Sequence, residues 1–199
     1  MSVFAAKGYE STSLAELERA MGMNRVSVYA TFGNKEALFV KAMTRYTEVG
    51  SRRFLEHLGM ESAREGFEAL LRDSVAMFTD PNGHGVCFVT QAPLTGGDVS
   101  EGTKRFVADR RDGIELMLGS RLQQALDDGE LAAGASVQDL ARFFTVTMLG
   151  LALQAQHGAT QAELMRVVDV AMASWPAPEA RHKGGAAQAP AATARSGGS

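Results

Sequence analysis

Through most of this chain the apolar residues recur at three- and four-residue steps, with almost no strict alternation. That spacing puts them on one face of an α-helix, so an all-α architecture of helices packed on helices is expected. Leu38, Phe39, Ala42, Met43, Tyr46 and Val49 form one stripe, which continues loosely to about Leu58. Phe67, Leu70, Leu71, Ser74 and Phe78 form another, closed by the turn signal Asp80-Pro81-Asn82-Gly83. Val107, Ile114, Leu118, Leu122 and Ala125 mark a long helix ending near Asp128-Gly129. Leu164, Val167, Val168, Ala171 and Trp175 form a last stripe before Pro176. The short run Val86 to Val89 fits a strand or a buried helix, and with no other strand signal a buried helix is expected.

Two segments depart from a one-faced pattern. From Leu140 to Ala155 apolar residues occur on every face, so this helix needs cover on more than one side, which a partner subunit can supply. Residues 176–199 carry no apolar side chain larger than alanine or proline and cannot offset the entropy of ordering, so a disordered tail is expected. The expected division is 1–50, 51–175 and the tail 176–199.

The first forty residues are punctuated more finely. Ser13-x-x-Glu16 is a capping box, in which the serine oxygen accepts from the third amide and the glutamate reaches back to the cap amide. Gly22 suits the left-handed position that ends a helix. Asn24 caps a second short helix, Arg25 to Phe32; Gly33 ends it and Asn34 caps the next. Glu36 then stands in a first turn, where the helix dipole favours negative charge.

Composition narrows the function classes. With 199 residues and a formal net charge of −3, the chain is long enough for a core and has no overall attraction to polyanions. The charge is uneven: residues 1–50 balance to +1 and the remainder to −4. A nucleic-acid contact confined to the head is therefore permitted. One cysteine, Cys87, excludes an intrachain disulfide, and His57, His84, His157 and His182 show no ligand spacing, so no metal or cofactor is expected. There is no paired acid–base constellation, nucleophile motif or phosphate loop, which leaves an enzyme little support. The opening residues hold no apolar region long enough for a signal peptide. Phe143 to Ala155 is shorter than the roughly 20 residues that span a bilayer. A soluble cytoplasmic protein is expected.

Two short helices joined by a tight turn have helix-turn-helix dimensions, in which the second helix lies in the DNA major groove. Arg25 stands where a guanidinium can pair with guanine or phosphate. Ser27 and Thr31 bring short hydroxyls, Val26 and Ala30 allow close approach, and Tyr29 offers a hydroxyl at phosphate height. Val28 and Phe32 face inward, and Lys35 adds a cation beside free backbone amides. The bland alternative is a plain helical hairpin with an incidental Arg and Lys.

The stretches Lys7-Gly8-Tyr9-Glu10-Ser11-Thr12-Ser13-Leu14-Ala15-Glu16-Leu17 and Ala20-Met21-Gly22-Met23-Asn24-Arg25-Val26-Ser27-Val28-Tyr29-Ala30-Thr31-Phe32-Gly33-Asn34-Lys35-Glu36-Ala37-Leu38-Phe39 closely resemble the DNA-binding domain of tetracycline-repressor (TetR) family regulators. The resemblance implies an all-helical homodimeric regulator, usually a repressor of a palindromic operator. Its N-terminal helix-turn-helix domain would be followed by a bundle that binds a small molecule and dimerises through helices at about 137–156 and 161–175. By motif position Thr12, Tyr29 and Lys35 would touch phosphates, with Asn24, Arg25, Val26, Ser27, Ala30 and Thr31 near bases or backbone. Gly85-Val86-Cys87-Phe88, Gly129-Glu130-Leu131 and Trp175 look like an AcrR-like branch. In the family a full helix precedes Gly8-Tyr9, where only Met1–Lys7 stand here. Met1 is accordingly expected to be an internal methionine or a misplaced start, with Val3 and Phe4 left to cover the head core. If that helix is missing, the alternative is a dimeric small-molecule-binding or scaffold protein with impaired DNA binding.

In the body, Met77, Phe78, Met117 and Met148 read as core or as the adaptable wall of a ligand pocket. Cys87 reads as a small buried residue or as a reactive thiol with His84 beside it. Gln91, Gln154, Gln156 and His157 are polar within apolar segments, suited to orient a ligand, to cap a helix or to face solvent. Arg52-Arg53 and Arg110-Arg111 read as solvated helix faces.

Overall fold

The computed structural model describes residues 2–80 and 99–178. Among them are eight helices: α1 (Ser2–Lys7), α2 (Leu14–Met21), α3 (Arg25–Phe32), α4 (Lys35–Leu58), α5 (Ala63–Thr79), α6 (Glu101–Asp127), α7 (Val137–Gln156) and α8 (Gln161–Ala173). No helix among the described residues is long and apolar enough to cross a membrane, and no group of His, Cys, Asp and Glu there could hold a metal ion. The run Val86 to Val89, with Cys87 and Gln91, lies outside the described residues, as do tail residues 179–199.

The short-range signals form as the sequence dictates. Ser13 and Glu16 make the complete capping box of α2, and Gly22 closes that helix at φ 63°, where a Cβ would be strained. Asn24 accepts from the Ser27 amide at 2.9 Å and Asn34 from the Ala37 amide at 2.7 Å, so α3 and α4 both start where expected.

The apolar faces assemble into two cores. The head core joins Phe4, Leu17, Val28, Phe39 and Met43, with Val99 and Val107 reaching in from the body's side of the chain. Phe4 is 1% exposed and its ring centroid lies 5.3 Å from that of Phe39, so even a six-residue α1 delivers a core side chain, with Val3 packed partly against it. The body core is built from α5, α7 and α8 with the later turns of α6; Phe67, Phe144 and Trp175 pack as a ring triad 4.7–5.8 Å apart. Residue 50, the expected boundary, falls inside α4, which runs unbroken from the head core (Leu38, Phe39) to the body core (Leu58). Helix α6 bridges likewise, with Val107 in the head and Leu118 and Leu122 in the body.

Two details differ from the sequence reading, and a third, at Arg121, has no local sequence signal. Val167 is half exposed, while Leu164, Val168 and Ala171 are buried, so it lies off the buried stripe on the open side of α8. Pro176, placed in the tail, accepts a backbone hydrogen bond from Ala132 at 2.8 Å and so is anchored to the body. Arg121 is buried, donating to the carbonyls of Leu58, Met60 and Glu61 at 3.0–3.2 Å and pairing with Glu130, whose other oxygen accepts from the Ala63 amide at 2.7 Å. That network stitches the α4–α5 turn to the far end of α6.

Candidate functional site

Helix α3 stands on the head with one face in and one face out. Val28 is 2% exposed in the head core and Phe32, one turn on, packs partly against it. The opposite face carries Arg25, Val26, Tyr29 and Ala30, with Thr31 beside it, all exposed; Val26 reaches 78%. A side chain so apolar and so open at the centre of a helix face has nothing to pack on within this subunit. Helix α3 has no acidic residue in its first turn, so its free amides and dipole present unopposed positive potential. Ser27 is only half exposed and its amide is taken by Asn24, whose side chain is the cap.

The cations around this face are held. The Arg25 guanidinium lies 5.8 Å from the Tyr29 ring centroid, which keeps both side chains together on the outer face. Lys35 sits over the Tyr9 ring at 4.4 Å and donates to the Glu10 carbonyl at 3.4 Å. Lys41 lies 5.4 Å from the Phe32 ring and donates to the Thr31 carbonyl at 3.4 Å, a cation beside the recognition face that sequence reading passed over. Of the acids nearby, Glu16 pairs with Lys7 and is also held by the Ser13 backbone and hydroxyl; together these lower its pKa to about 2.

Thr12 is placed differently from the motif expectation. It is 1% exposed and its hydroxyl donates to the Gly8 carbonyl at 2.6 Å. The residue lies beneath the turn between α1 and α2, where a buried hydroxyl needs a protein partner. Its side chain braces the head and is not presented to a phosphate.

The body candidates do not come together as a set. A small cavity of about 20 Å³ is lined by Phe78, Arg111, Ile114, Thr145, Met148 and Leu149, from α5, α6 and α7. Phe78 and Met148 therefore meet there, whereas Met77 (47% exposed) and Met117 (37% exposed) point outward. Gln154, Gln156 and His157 are exposed at the end of α7. The paired arginines also divide: Arg53 reaches Asp73 at 2.8 Å, and Arg111 turns inward to the cavity.

Head and body meet at the start of α6. Ser100, the N-cap of α6, donates its amide (3.1 Å) and its hydroxyl to the Glu36 carboxylate in the first turn of α4. These bonds from Ser100, with one from Thr103, hold the Glu36 pKa below its ordinary value. Glu36 thus serves the dipole of its own helix and the cap of another.

Comparison with known proteins agrees with this geometry. The family described as bacterial regulatory proteins, tetR family, matches residues 1–42. The HTH-type transcriptional repressor ComR of Escherichia coli (strain K12) is 29% identical over 181 residues, covering 88% of this chain and 85% of ComR. The HTH-type transcriptional regulator YezE of Bacillus subtilis (strain 168) is 28% identical over 174 residues, covering 86% and 90%. Among solved structures, a cysteine mutant of the TetR family transcriptional regulator CifR, complexed with 26 bp double-strand operator DNA, superposes with a TM-score of 0.83. It is 37% identical, with 88% of this chain and 92% of CifR covered.

Proposed function

Because the chain belongs to the TetR family of bacterial regulatory proteins, we propose that it is a DNA-binding transcriptional regulator, a ligand-responsive repressor that grips a palindromic operator as a homodimer. The observation that carries this is the outer face of α3: Arg25, Val26, Tyr29 and Ala30 stand exposed on a capped helix with no carboxylate in its first turn. In the major groove Arg25 reads guanine or holds phosphate, and Val26 meets the apolar edge of a base such as the thymine methyl. Tyr29 and Lys35 fix the register on the backbone. A net charge of −3 on the whole chain leaves this attraction local to the head.

Several features support the dimer. Phe143, Val146 and Leu153 form an exposed apolar row on α7, and Val167 and Val170 another on α8. Pairing these rows across a two-fold axis accounts for the apolar residues on every face of α7. It also carries two α3 helices to major-groove faces about 34–36 Å apart. Helices α4 and α6 each join both cores and are tied by Ser100 and Glu36, so a shift of α6 around a bound effector re-aims α3. An effector that favours the spread form lowers operator affinity by population shift. Its action belongs in the cytoplasm, where operator DNA is, and its similarity to transcriptional regulators supports a regulatory rather than an enzymatic role. Phe4, 1% exposed, closes the head core, which supports the regulator reading over a scaffold with an impaired head.

The test is selection of bound genomic fragments followed by gel shift on the best one. Arg25→Ala is expected to lower specific affinity roughly 10- to 100-fold, and Tyr29→Phe to weaken binding several-fold across sequences. Affinity should fall steeply with salt, because each neutralised phosphate releases counterions. Retardation by both variants at the parent's concentration would overturn the assignment of α3.

A further inference from the structure

Arg111 is the one residue in the body cavity whose chemistry is unfinished. Its Nη2 is buried without a hydrogen-bond partner, and its guanidinium joins no hydrogen bond or ion pair among the described residues. The second such atom, Nη1 of Arg121, belongs to a side chain already bound to three carbonyls and Glu130, so it is the spare corner of a satisfied group. Arg111 has no such anchor. Of the carboxylates near it on α6, Glu115 pairs with Arg142 at 2.8 Å, and neither Asp109 nor Asp112 forms an ion pair with Arg111. Around it the cavity wall is Phe78, Ile114, Met148 and Leu149, and the single hydroxyl there, on Thr145, donates to the Ala141 carbonyl at 2.8 Å.

A cation that is always charged and left unpaired in an apolar wall is unfavourable unless something anionic joins it. We propose that the effector is a small amphiphilic acid, its carboxylate paired with Arg111 and its apolar part lodged among Phe78, Ile114, Met148 and Leu149. The assignment rests on the ligand-responsive reading above and names the chemical class of that ligand. Planar guanidinium matches planar carboxylate in a two-bond fork, which a neutral alcohol or ester cannot reproduce. The cavity of about 20 Å³ holds little more than one water, so the acid enters by displacing side chains. Met148, unbranched and with three rotatable bonds, is the wall residue best able to move. Arg111 lies on α6 between the turns that enter the head core and those in the body core, so a ligand drawn to it acts on the helix that bridges them.

The experiment is direct calorimetric binding to the full chain without DNA, with butyrate, hexanoate, octanoate and benzoate at neutral pH. Each acid is compared with the alcohol of the same skeleton. At least one acid is expected to bind, its alcohol at least roughly tenfold more weakly, and Arg111→Met should weaken the acid roughly 10- to 100-fold. Arg111→Lys should recover part of the loss. The unliganded Arg111→Met protein is expected to keep or raise the parent Tm, since a half-buried cation with one buried, unpartnered nitrogen is removed. The proposal is overturned if no acid binds, if an alcohol binds as well as its acid, if Arg111→Met binds as the parent does, or if that variant loses Tm by several degrees. The acid–alcohol comparison on the parent decides the matter even where a variant folds poorly. Gel shift without added acid stands apart: failure there sinks the regulator reading and leaves the measured acid binding intact.

Discussion

Glu16 shows how much one side chain of the head can hold. Its carboxylate accepts the Ser13 amide and hydroxyl at 2.9 Å, completing the cap of α2, and pairs with Lys7 at the end of α1. The two short helices are thereby joined by one ion, which matters because helices of six and eight residues do not persist alone. The pair with Lys7 is the chief cause of the depressed pKa of about 2, with the Ser13 bonds adding to it. A carboxylate depressed on folding stabilises the native state above its ordinary value of 4.5, and that contribution is lost as pH falls from there to about 2. The expected outcome in a carboxyl NMR titration is that Glu16 titrates near 2 in the parent and closer to its ordinary value in Lys7→Met. The variant should also lose head stability at a higher pH on acidification. A Glu16 titration that ignores Lys7→Met would show the ion pair to be incidental. Thr12 gives the opposite lesson at the same scale: a hydroxyl read as an outward phosphate ligand is spent inward on Gly8.

At the scale of elements, α5 comes so close to the end of α4 that no side chain fits between them. An ideal Cβ on Gly66 would lie 2.4 Å from the His57 carbonyl oxygen, a backbone atom fixed by the helix that Arg121 holds from the other side. Gly66→Ala gains at most about 1 kcal/mol in helix propensity. It meets an overpacking penalty of about 1–3 kcal/mol, because backbone cannot turn aside as a flexible side chain would. At 2.4 Å the penalty falls in the upper part of that range, so a net destabilisation of about 1–2 kcal/mol is expected, read as a lower urea midpoint; an unchanged or raised midpoint would mean that the α4–α5 contact is soft. What sequence disclosed here divides by range. The caps at Ser13, Asn24 and Asn34, the stop at Gly22 and the buried stripe of α5 depend on residues within one or two turns, and each was legible. Gly66 and Arg121 depend on partners from another element: Arg121 meets Leu58 across 63 positions, which no local pattern encodes. Arg111 was hidden for the same reason, since an arginine pair on a helix reads as solvated until its neighbours in space are known. Likewise, adjacent valines at 167 and 168 leave open which one the core takes.

For the molecule as a whole, the arrangement of surfaces matters more than their composition. The interior of α7 is complete with Phe144, Thr145, Leu151 and Ala152, yet Phe143, Val146 and Leu153 line its other side at helical spacing, and Val170 on α8 is 72% exposed. Exposed apolar rows on two helices that pack on each other are unfavourable in water and mark an interface. It lies in the body, so pairing there leaves both α3 faces free. Each α3 alone offers a short helix with few cations; two held at fixed spacing make the second contact intramolecular, worth roughly 100-fold or more in affinity. Charge on this surface therefore separates assembly from DNA contact. Val146→Asp combined with Val170→Asp places carboxylates where two copies would meet and leaves Arg25, Tyr29 and Lys35 untouched. The double variant is expected to sediment as a single subunit, with its helical circular dichroism retained, and to lose operator affinity by roughly 100-fold or more. Each subunit should still show weak, salt-sensitive binding through its intact head. A double variant that still sediments as a dimer would place the interface elsewhere. One that is monomeric yet binds the operator as the parent does would show that a single α3 suffices.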